Sequence, residues 1–215
     1  MLTLEKINYS KNHQKIICDF GFSAGLGSCF TIKGKNGSGK TTLLKIIAGL
    51  ANLDSRENSG EILWNRENIS YIKEDFYADL QYLGHNNFLK KHLSVLDNLL
   101  FYAKLSQTEI LIPSAIRYFK LDNIINSKVG KLSAGWQKRV ILSKLLCCPS
   151  TIWLLDEPTV NLDEEGKELL FNLINTRIKE DGIAIIATHD DLFSSISSNI
   201  ILEDFKENEL ENSRN

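Results

Sequence analysis

Residues 34–42 have the types and the spacing needed to bind a chain of phosphate groups. They read GKNGSGKTT and fit the pattern G-x-x-x-x-G-K-[ST]. Glycine accepts positive φ angles, so such a loop can turn tightly and present backbone N–H groups to phosphate oxygens at a helix N-terminus. Lys40 would add a positive charge for the β- and γ-phosphates and assist catalysis, and Thr41 would add a hydroxyl for Mg²⁺. The predicted contacts are Gly34, Lys35, Asn36, Gly37, Ser38, Gly39, Lys40, Thr41 and Thr42.

A second group that could take part in catalysis is the carboxylate pair Asp156 and Glu157, which follows the apolar run 152–155. Two like charges at the end of a buried strand need a cation. Asp156 could hold Mg²⁺ directly or through water, and Glu157 could then accept a proton from the water that attacks a γ-phosphate. The alternative is that the pair only caps the next helix, but Lys40 and Thr41 upstream favour catalysis.

Two further polar residues stand where predicted elements begin or end. Ser133 precedes a helix that continues through the apolar run 140–146 and stops before Pro149. It is a candidate N-cap, and a helix N-terminus can bind an anion, although taken alone the segment is only a capped helix. His189 follows the apolar strand 183–187, and without other motifs it would be a surface residue in a turn.

The elements that must position these groups alternate between strand and helix patterns. A buried strand, 28–33, precedes the phosphate loop. After the loop, apolar residues recur at helical spacing over 43–50, until Gly49 interrupts the run. The loop therefore has the strand–loop–helix setting that its pattern requires, which argues against a plain turn before a core helix. Segments 2–7 and 16–22 alternate as an antiparallel hairpin. The other predicted strands are 61–64, 80–84, 152–155, 183–187 and 199–203.

The character of the chain changes over residues 85–148, where helical patterns replace strands. Ser94 and Asp97 form an S-x-x-D capping box, and a second helix follows Pro113. We expect a helical lobe here, inserted between the two halves, 1–84 and 149–215, of an α/β core. Such a lobe could contact another protein.

Length and composition restrict the class of protein. The 215 residues, 43% of them hydrophobic, can bury one sizeable core, so we expect a single α/β unit. A formal net charge of −2 gives no global basic field for nucleic acid. No apolar run approaches the roughly 18 residues that cross a bilayer, and the N-terminus lacks a signal-peptide core. We expect a cytoplasmic protein that reaches a membrane only through a partner.

The four cysteines predict thiols rather than a disulfide framework. Cys18, Cys29, Cys147 and Cys148 lack C-x-x-C spacing, and we expect all four to be reduced and buried. The adjacent pair Cys147-Cys148 could be a metal or redox site. Neighbours at a helix end point in different directions, however, so core packing is the favoured interpretation.

Taken in order, the motifs resemble those of ABC-type nucleotide-binding subunits over nearly the whole chain. Residues 34–42 resemble the Walker A loop, LSAGWQKR (132–139) the signature LSGGQ, and IWLLDEP (152–158) the Walker B strand. Asn161-Leu162-Asp163 resembles the D-loop, and His189 the switch histidine. Each motif is weak alone, but the ordered set is specific. The resemblance implies a P-loop NTPase core with an antiparallel β edge subdomain and an inserted α-helical subdomain.

The resemblance also implies how the residues work together. Two copies would dimerise head to tail around ATP and Mg²⁺, with Ser133 and Gly135 of one copy closing on the γ-phosphate held by Lys40 of the other. Asp163 would lie at the nucleotide through the D-loop, and His189 would contact the γ-phosphate and orient Glu157. The helical lobe would pass this motion to an integral membrane subunit. Adenine could stack against the hairpin, but recognition is weakly supported, because Tyr9 is the only aromatic residue nearby and Lys11, Asn12 and His13 are closest to the expected ring position.

Two departures from the family pattern point to a subfamily. His85 follows the strand 80–84 where glutamine is usual, and the signature carries Ala134 and Trp136 in place of Gly and Gln. With the short length and no further C-terminal domain, these features resemble the CcmA family of cytochrome c maturation. That likeness implies CcmB-like membrane subunits at the cytoplasmic face of the bacterial inner membrane, haem delivery to CcmE, and CcmC and CcmD as additional candidate partners.

Several alternatives stay open at this stage. His85 could sense the γ-phosphate and the partner together, or it could be a simple loop residue. The chain could serve a transporter of another small substrate. A soluble ABC ATPase would usually carry a second cassette or a long coiled coil, and a structural module without turnover would not need Asp156, Glu157 and His189.

Overall fold

A computed structural model describes residues 1–53, 55, 57–84 and 89–202 of the chain. Strands and helices alternate through the first half and the last quarter, and helices dominate between them. The strands are β1 (Leu2–Lys11), β2 (Gln14–Ala24), β3 (Ser28–Lys33), β4 (Ser59–Trp64), β5 (Glu67–Asn68), β6 (Leu80–Leu83), β7 (Ile152–Asp156), β8 (Ile183–Ala187) and β9 (Ser198–Ile201). The helices are α1 (Lys40–Ile47), α2 (Lys73–Ala78), α3 (Val95–Leu105), α4 (Ile112–Tyr118), α5 (Ala134–Cys147) and α6 (Glu164–Lys179).

The antiparallel sheet has the order β2-β1-β4-β5, and its first two strands form the predicted hairpin. Both strands run further than predicted, so the turn shrinks to Asn12 and His13, with φ angles of 53° and 61°. Two consecutive positive φ angles match the right-handed twist of a tight hairpin, and Asn adopts this region readily. The turn is therefore narrower than the gap between the predicted strands 2–7 and 16–22.

The parallel sheet has the order β6-β7-β8-β3-β9, and its central strands β7 and β8 are buried on both faces. Side chains alternate across it: Trp153 and Leu155 of β7 join an apolar cluster with α3, α4 and α5, whereas Ile152 and Leu154 join a second cluster with α1 and the antiparallel sheet. A strand covered on both faces reads as one continuous apolar run. That is why β7 and β8 were recognisable in the sequence.

Helix α1 begins and ends at glycines with positive φ angles. Gly39 (φ 100°) precedes Lys40, and a Cβ there would lie 2.8 Å from Cγ2 of Ile16 on β2. At the other end Gly49 has φ 69°, its N–H donates to the Ile46 carbonyl, and the Leu50 N–H donates to the Lys45 carbonyl. This Schellman arrangement stops the helix at Ile47. Gly49 therefore interrupts the helix as predicted, and Leu50, which the apolar spacing included, is 63% exposed.

The stretch between the two halves of the parallel sheet is helical, as predicted. Ser94 and Asp97 form the capping box of α3: the Asp97 N–H donates to Ser94 Oγ, and the Ser94 N–H donates to the Asp97 carboxylate. Pro113 lies in the first turn of α4, where its missing N–H does no harm. The sequence did not reveal α2, because its six residues bury only Phe76 and give no periodicity. Among the residues described, no helix combines the length and hydrophobicity that a bilayer-spanning segment needs.

The cysteines differ in burial, which corrects one expectation. All four are free thiols, but only Cys29 and Cys147 are buried, and Cys18 and Cys148 are half-buried. Burial raises the pKa of Cys29 and of Cys147 to about 12, so both thiols stay protonated at neutral pH. In the part of the chain described, no group of three or more His, Cys, Asp or Glu side chains could hold a metal ion.

Candidate nucleotide-binding site

The loop between β3 and α1 has the shape expected of a phosphate cradle. Lys35, Asn36 and Gly37 are exposed at its crest, and the Ser38 N–H donates to the Lys35 carbonyl at 3.1 Å. Gly34 has φ 155°, and a Cβ there would lie 2.5 Å from Ser38 Oγ. Only glycine fits at this base of the loop. The loop leads directly into α1, whose N-terminus has no side-chain cap and no acidic residue in its first turn.

Lys40 is folded back across the loop instead of extending into solvent. Its Nζ donates to the carbonyl oxygens of Gly34 at 2.7 Å and Lys35 at 3.0 Å, and the residue is only 9% exposed. An ammonium group has three N–H donors, and these contacts use two. The charge is thus fixed inside the curve of the loop, where a phosphate oxygen could accept the third. Thr42 follows in the first turn of α1 and is half-buried.

Thr41 and Asp156 bring α1 and β7 together at one point. Thr41 Oγ1 donates to the Asp156 carboxylate, with distances of 2.9 Å to Oδ2 and 3.1 Å to Oδ1. Asp156 is 3% exposed at the carboxyl end of its strand. A hydroxyl beside a carboxylate is an oxygen donor set that suits Mg²⁺, which takes its remaining ligands from water and phosphate. These two residues fit the predicted metal ligands.

Glu157 and His189 face each other beside the loop. Glu157 has φ 46°, a value uncommon for a residue other than glycine, and its N–H donates to the Ala187 carbonyl at the end of β8. His189 Nε2 lies 3.8 Å from Glu157 Oε1 and 2.9 Å from Oδ1 of Asn36 in the loop. The loop, the end of β7 and the end of β8 therefore converge on one place.

A lysine of helix α5, Lys138, also reaches this place. Sequence analysis did not identify it as a site residue. Lys138 is 8% exposed, and its Nζ donates to the Glu157 main-chain carbonyl at 2.9 Å. Burial lowers the pKa of Lys138 to about 8, although the charges of Asp156 and Glu157 oppose this shift. The sequence showed only a basic pair before an apolar run. Because the helix continues into the apolar run 140–146, it must pack against the core, and at least one residue of the basic pair is then buried as well. This pattern was the signal in the sequence.

The neighbouring Arg139 joins α5 to the start of α6. Its Nη2 donates to both carboxylate oxygens of Asp163, at 2.7 and 2.8 Å, and to Oε2 of Glu165 at 2.7 Å. The hydrogen bond from Arg139 holds the pKa of Asp163 below its usual value. Asp163 also caps α6 by accepting from the Gly166 N–H at 3.0 Å. The D-loop carboxylate is thus engaged within its own chain.

The N-terminus of α5 forms a second group, linked to the first through Lys138. Ser133 caps the helix as predicted, with Oγ accepting from the Trp136 N–H at 3.4 Å, and it is exposed. A Cβ at Gly135 would lie 2.9 Å from the Asn161 carbonyl oxygen. This close approach accounts for glycine at that position within one chain. Ser133 and Gly135 therefore present an open helix end whose predicted phosphate contact would come from a second copy.

The residues named for adenine recognition lie at the tip of the β1–β2 hairpin. Lys11, Asn12 and His13 are exposed, and His13 Nδ1 lies 2.6 Å from Oε1 of Glu57, while Tyr9 packs against the apolar cluster of that sheet. The tip thus contacts the loop that follows α1. His85 lies outside the described residues, so its role stays a prediction.

Comparison with known proteins now identifies the family. Residues 18–160 match the family model described as ABC transporter. The chain belongs to the ABC transporter family. Its membership confirms the fold class predicted from the ordered motifs.

Curated ABC transporter relatives confirm the resemblance to CcmA. A protein named cytochrome c biogenesis ATP-binding export protein CcmA from Aliivibrio fischeri is 36% identical over 195 residues, which are 90% of this chain and 94% of the relative. The protein of the same name from Wolbachia pipientis is 37% identical, covering 88% of this chain and 89% of its own. That from Rickettsia felis is 36% identical and covers 94% and 99%.

Solved structures of ABC transporter proteins share the architecture. An ATP binding subunit of an ABC transporter superimposes with a TM-score of 0.82 at 22% identity, covering 94% of this chain and 85% of its own. A putative ABC transporter ATP-binding protein from Pyrococcus furiosus gives a TM-score of 0.77 at 26% identity and covers 94% and 96%. The first of these supports the fold alone.

Proposed function

We propose that this chain is the ATP-hydrolysing subunit that energises an ABC transporter of cytochrome c biogenesis. The observation that carries the proposal is the convergence of Lys40, Thr41 and Asp156, with Thr41 Oγ1 2.9 Å from the Asp156 carboxylate. This is the donor set that a magnesium triphosphate requires. The names of the CcmA relatives, which span nearly the whole chain, suggest the biological process.

In the proposed mechanism, the chain contributes positioning and electrostatics. Backbone N–H groups of residues 34–41 and the Lys40 ammonium bind the phosphates, and Glu157 accepts a proton from the attacking water. His189 Nε2 lies 2.9 Å from Asn36 Oδ1 and 3.8 Å from Glu157 Oε1. From this position His189 would orient the carboxylate and contact the γ-phosphate. Mg²⁺ held by Thr41 and Asp156 would neutralise charge on the phosphates when bound.

The proposed assembly is a head-to-tail homodimer. The open N-terminus of α5 carries partial positive charge, and Ser133 with Gly135 would bring it onto the γ-phosphate of the other copy. Asp163 would lie next to that nucleotide. ATP therefore holds the two copies together, and hydrolysis lets them part.

We further propose a place for the dimer in the cell. The α/β core, 1–84 and 149–215, would bind nucleotide, and the helical lobe, 85–148, would pass closure to CcmB-like integral membrane subunits. The chain would then be peripheral to the cytoplasmic face of the bacterial inner membrane, and it would contact the membrane only through these subunits. Haem delivered to CcmE is the proposed cargo, with CcmC and CcmD as further candidate partners, and nucleic acid has no part.

The first test is phosphate release from ATP by the full chain. Glu157→Gln removes the proposed base and should slow hydrolysis by roughly 10²–10⁴-fold while ATP binding is retained. Glu164→Gln is the matched control, since the Glu164 side chain is 93% exposed and pairs with Lys167 at 3.3 Å on the surface of α6. Unchanged turnover in Glu157→Gln would remove this carboxylate from the mechanism.

The second test concerns the transporter. The Glu157→Gln protein, loaded with ATP, is used to capture partners from native membranes. Co-purification of a haem-handling membrane protein is the expected result. Capture of permease subunits for another small substrate would contradict the assignment to cytochrome c biogenesis while leaving the ATPase mechanism intact.

A further inference from the structure

Lys138 lies between the N-terminus of α5 and Glu157, which follows β7. It lies five residues after Ser133 on α5, so it moves with the exposed helix N-terminus. Ser133 is exposed to solvent, whereas the Lys138 side chain points into the protein. It is 8% exposed and reaches the end of β7, where the two proposed catalytic carboxylates stand.

The contact falls on the backbone of Glu157. Lys138 Nζ donates to the Glu157 carbonyl at 2.9 Å, and the Glu157 N–H donates to Ala187 at 2.8 Å. Both main-chain polar groups of the residue are therefore held: the N–H by β8, and the carbonyl by α5 at 2.9 Å and more weakly by the Val160 N–H at 3.4 Å. With φ at 46°, the residue is in a conformation that the surroundings must impose. The bond from α5 helps to fix the direction in which the carboxylate points.

A purely structural need would not select a charge at this place. Burying an ammonium group is costly unless charges or hydrogen bonds compensate, and an apolar side chain of similar length would fill the same space. Here the compensation comes from the Glu157 carbonyl and from the nearby carboxylates of Asp156 and Glu157. The Lys138 ammonium group is thus directed at the end of β7, where Asp156 and Glu157 lie.

We propose that Lys138 is a positioning residue that ties the Ser133 end of α5 to the backbone of Glu157 in the same chain. When the α5 N-terminus docks on the triphosphate held by a second copy, Lys138 moves with the helix and sets the orientation of Glu157 at its own chain's ATP. Each site then becomes competent when the other is closed. This inference rests on the proposed function.

The test compares Lys138→Met with Lys144→Met in the full chain. Lys144 lies on the same helix, and burial lowers its pKa to about 8 as well, but its Nζ lies 3.6 Å from the centre of the Tyr102 ring, away from Glu157. Loss of a charged hydrogen bond predicts that Lys138→Met lowers kcat about 10-fold or more, with KM for ATP within about twofold of the parent. The Hill coefficient for ATP should fall towards one, because the two sites are no longer linked. Lys144→Met should keep the parental kcat and Hill coefficient.

Folding is monitored by thermal melting, and Lys138→Gln serves as a second variant. Its amide is uncharged and one bond shorter, so the same loss of kcat is expected even if the Met variant does not fold. Parental kcat and Hill coefficient in either folded variant, or an equal loss in Lys144→Met, would overturn the inference. Parent and Glu157→Gln proteins are run alongside. If the parent protein releases no phosphate from ATP, both the proposed function and this inference are wrong. If the parent hydrolyses ATP and the Lys138 variants have the same kcat and Hill coefficient as the parent, only the inference is wrong.

Discussion

The N-termini of α1 and α5 are both suited to bind an anion, yet they are built differently. At α1 the N-cap is Gly39, which offers no side chain, and Lys40 beside it is 9% exposed with its ammonium fixed in the loop. At α5 the N-cap is Ser133, whose Oγ accepts from the Trp136 N–H, and the residue is exposed. One end is enclosed by its own chain, and the other faces outward.

This difference indicates which site is complete in a single chain. The end at α1 already has a fixed cation, a hydroxyl and a carboxylate within one chain, whereas the end at α5 offers only a helix terminus and a serine hydroxyl. A helix terminus alone provides partial charge and binds an anion weakly. We therefore expect the first to bind ATP by itself and the second to act only on nucleotide that another copy already holds.

The largest effect on this comparison is expected from Lys40→Met. Removing the fixed ammonium deletes a charge-assisted contact with the phosphates, so the affinity of a single chain for ATP should fall about 10- to 100-fold. Isothermal titration of the monomer measures this. The matched control is Lys45→Met, because Lys45 lies on the same helix but is exposed. Equal affinities in the parent and Lys40→Met proteins would show that the α1 end is not the primary site.

A smaller effect is expected from Ser133→Ala, and it should appear only in the dimer. Monomer affinity for ATP should stay at the parental level, while ATP-driven dimerisation of a Glu157→Gln background should weaken about 10-fold, since one hydroxyl contact to the γ-phosphate is lost. Analytical ultracentrifugation with and without ATP measures both states.

Ser94→Ala is the control for this substitution. Ser94 caps α3 in the same way, so both variants should lose about 1 kcal/mol of folding stability. Only Ser133→Ala should impair the dimer. Equal dimerisation of the two variants would mean that Ser133 is a cap and nothing more.

The smallest effect concerns pH and tests the half-buried Lys144 of α5. Burial lowers the pKa of Lys144 from 10.5 to about 8, so between these values the unfolded chain binds a proton that the folded chain does not. The free energy of unfolding should therefore rise with pH across this window. Lys144→Met should reduce that rise by about 1 kcal/mol in urea titrations at pH 7.5 and 9.5. An identical pH slope in both proteins would contradict the burial of this ammonium.

Much of the fold could be predicted because its signals are local. β3 and β8 have the predicted bounds. β8 is apolar along its whole length because it is covered on both faces, and β3 is marked by the phosphate loop that follows it directly. The phosphate loop is a contiguous motif, and the Ser94 cap is set by residues three apart. The end of α1 was also predictable, because Gly49 interrupts the apolar helical run and adopts a positive φ angle there.

The part that could not be predicted depends on contacts between distant segments. Lys138 reaches Glu157 across 19 residues, and Arg139 reaches Asp163 across 24. A basic pair in a sequence is ordinarily a solvated helix face, and only the packing of α5 against β7 and α6 turns these side chains inward. The predicted roles of Ser133, Gly135 and Asp163 depend on a second copy and stay predictions.

The central claim is that ATP is enclosed between the α1 end of one copy and the α5 end of another. The most direct measurement is a crystal structure of the Glu157→Gln protein with ATP and Mg²⁺. The account predicts a head-to-tail dimer in which Ser133 Oγ of one copy lies within hydrogen-bond distance of the γ-phosphate held by Lys40 of the other. ATP bound at Lys40 with both serines far from any phosphate would contradict it.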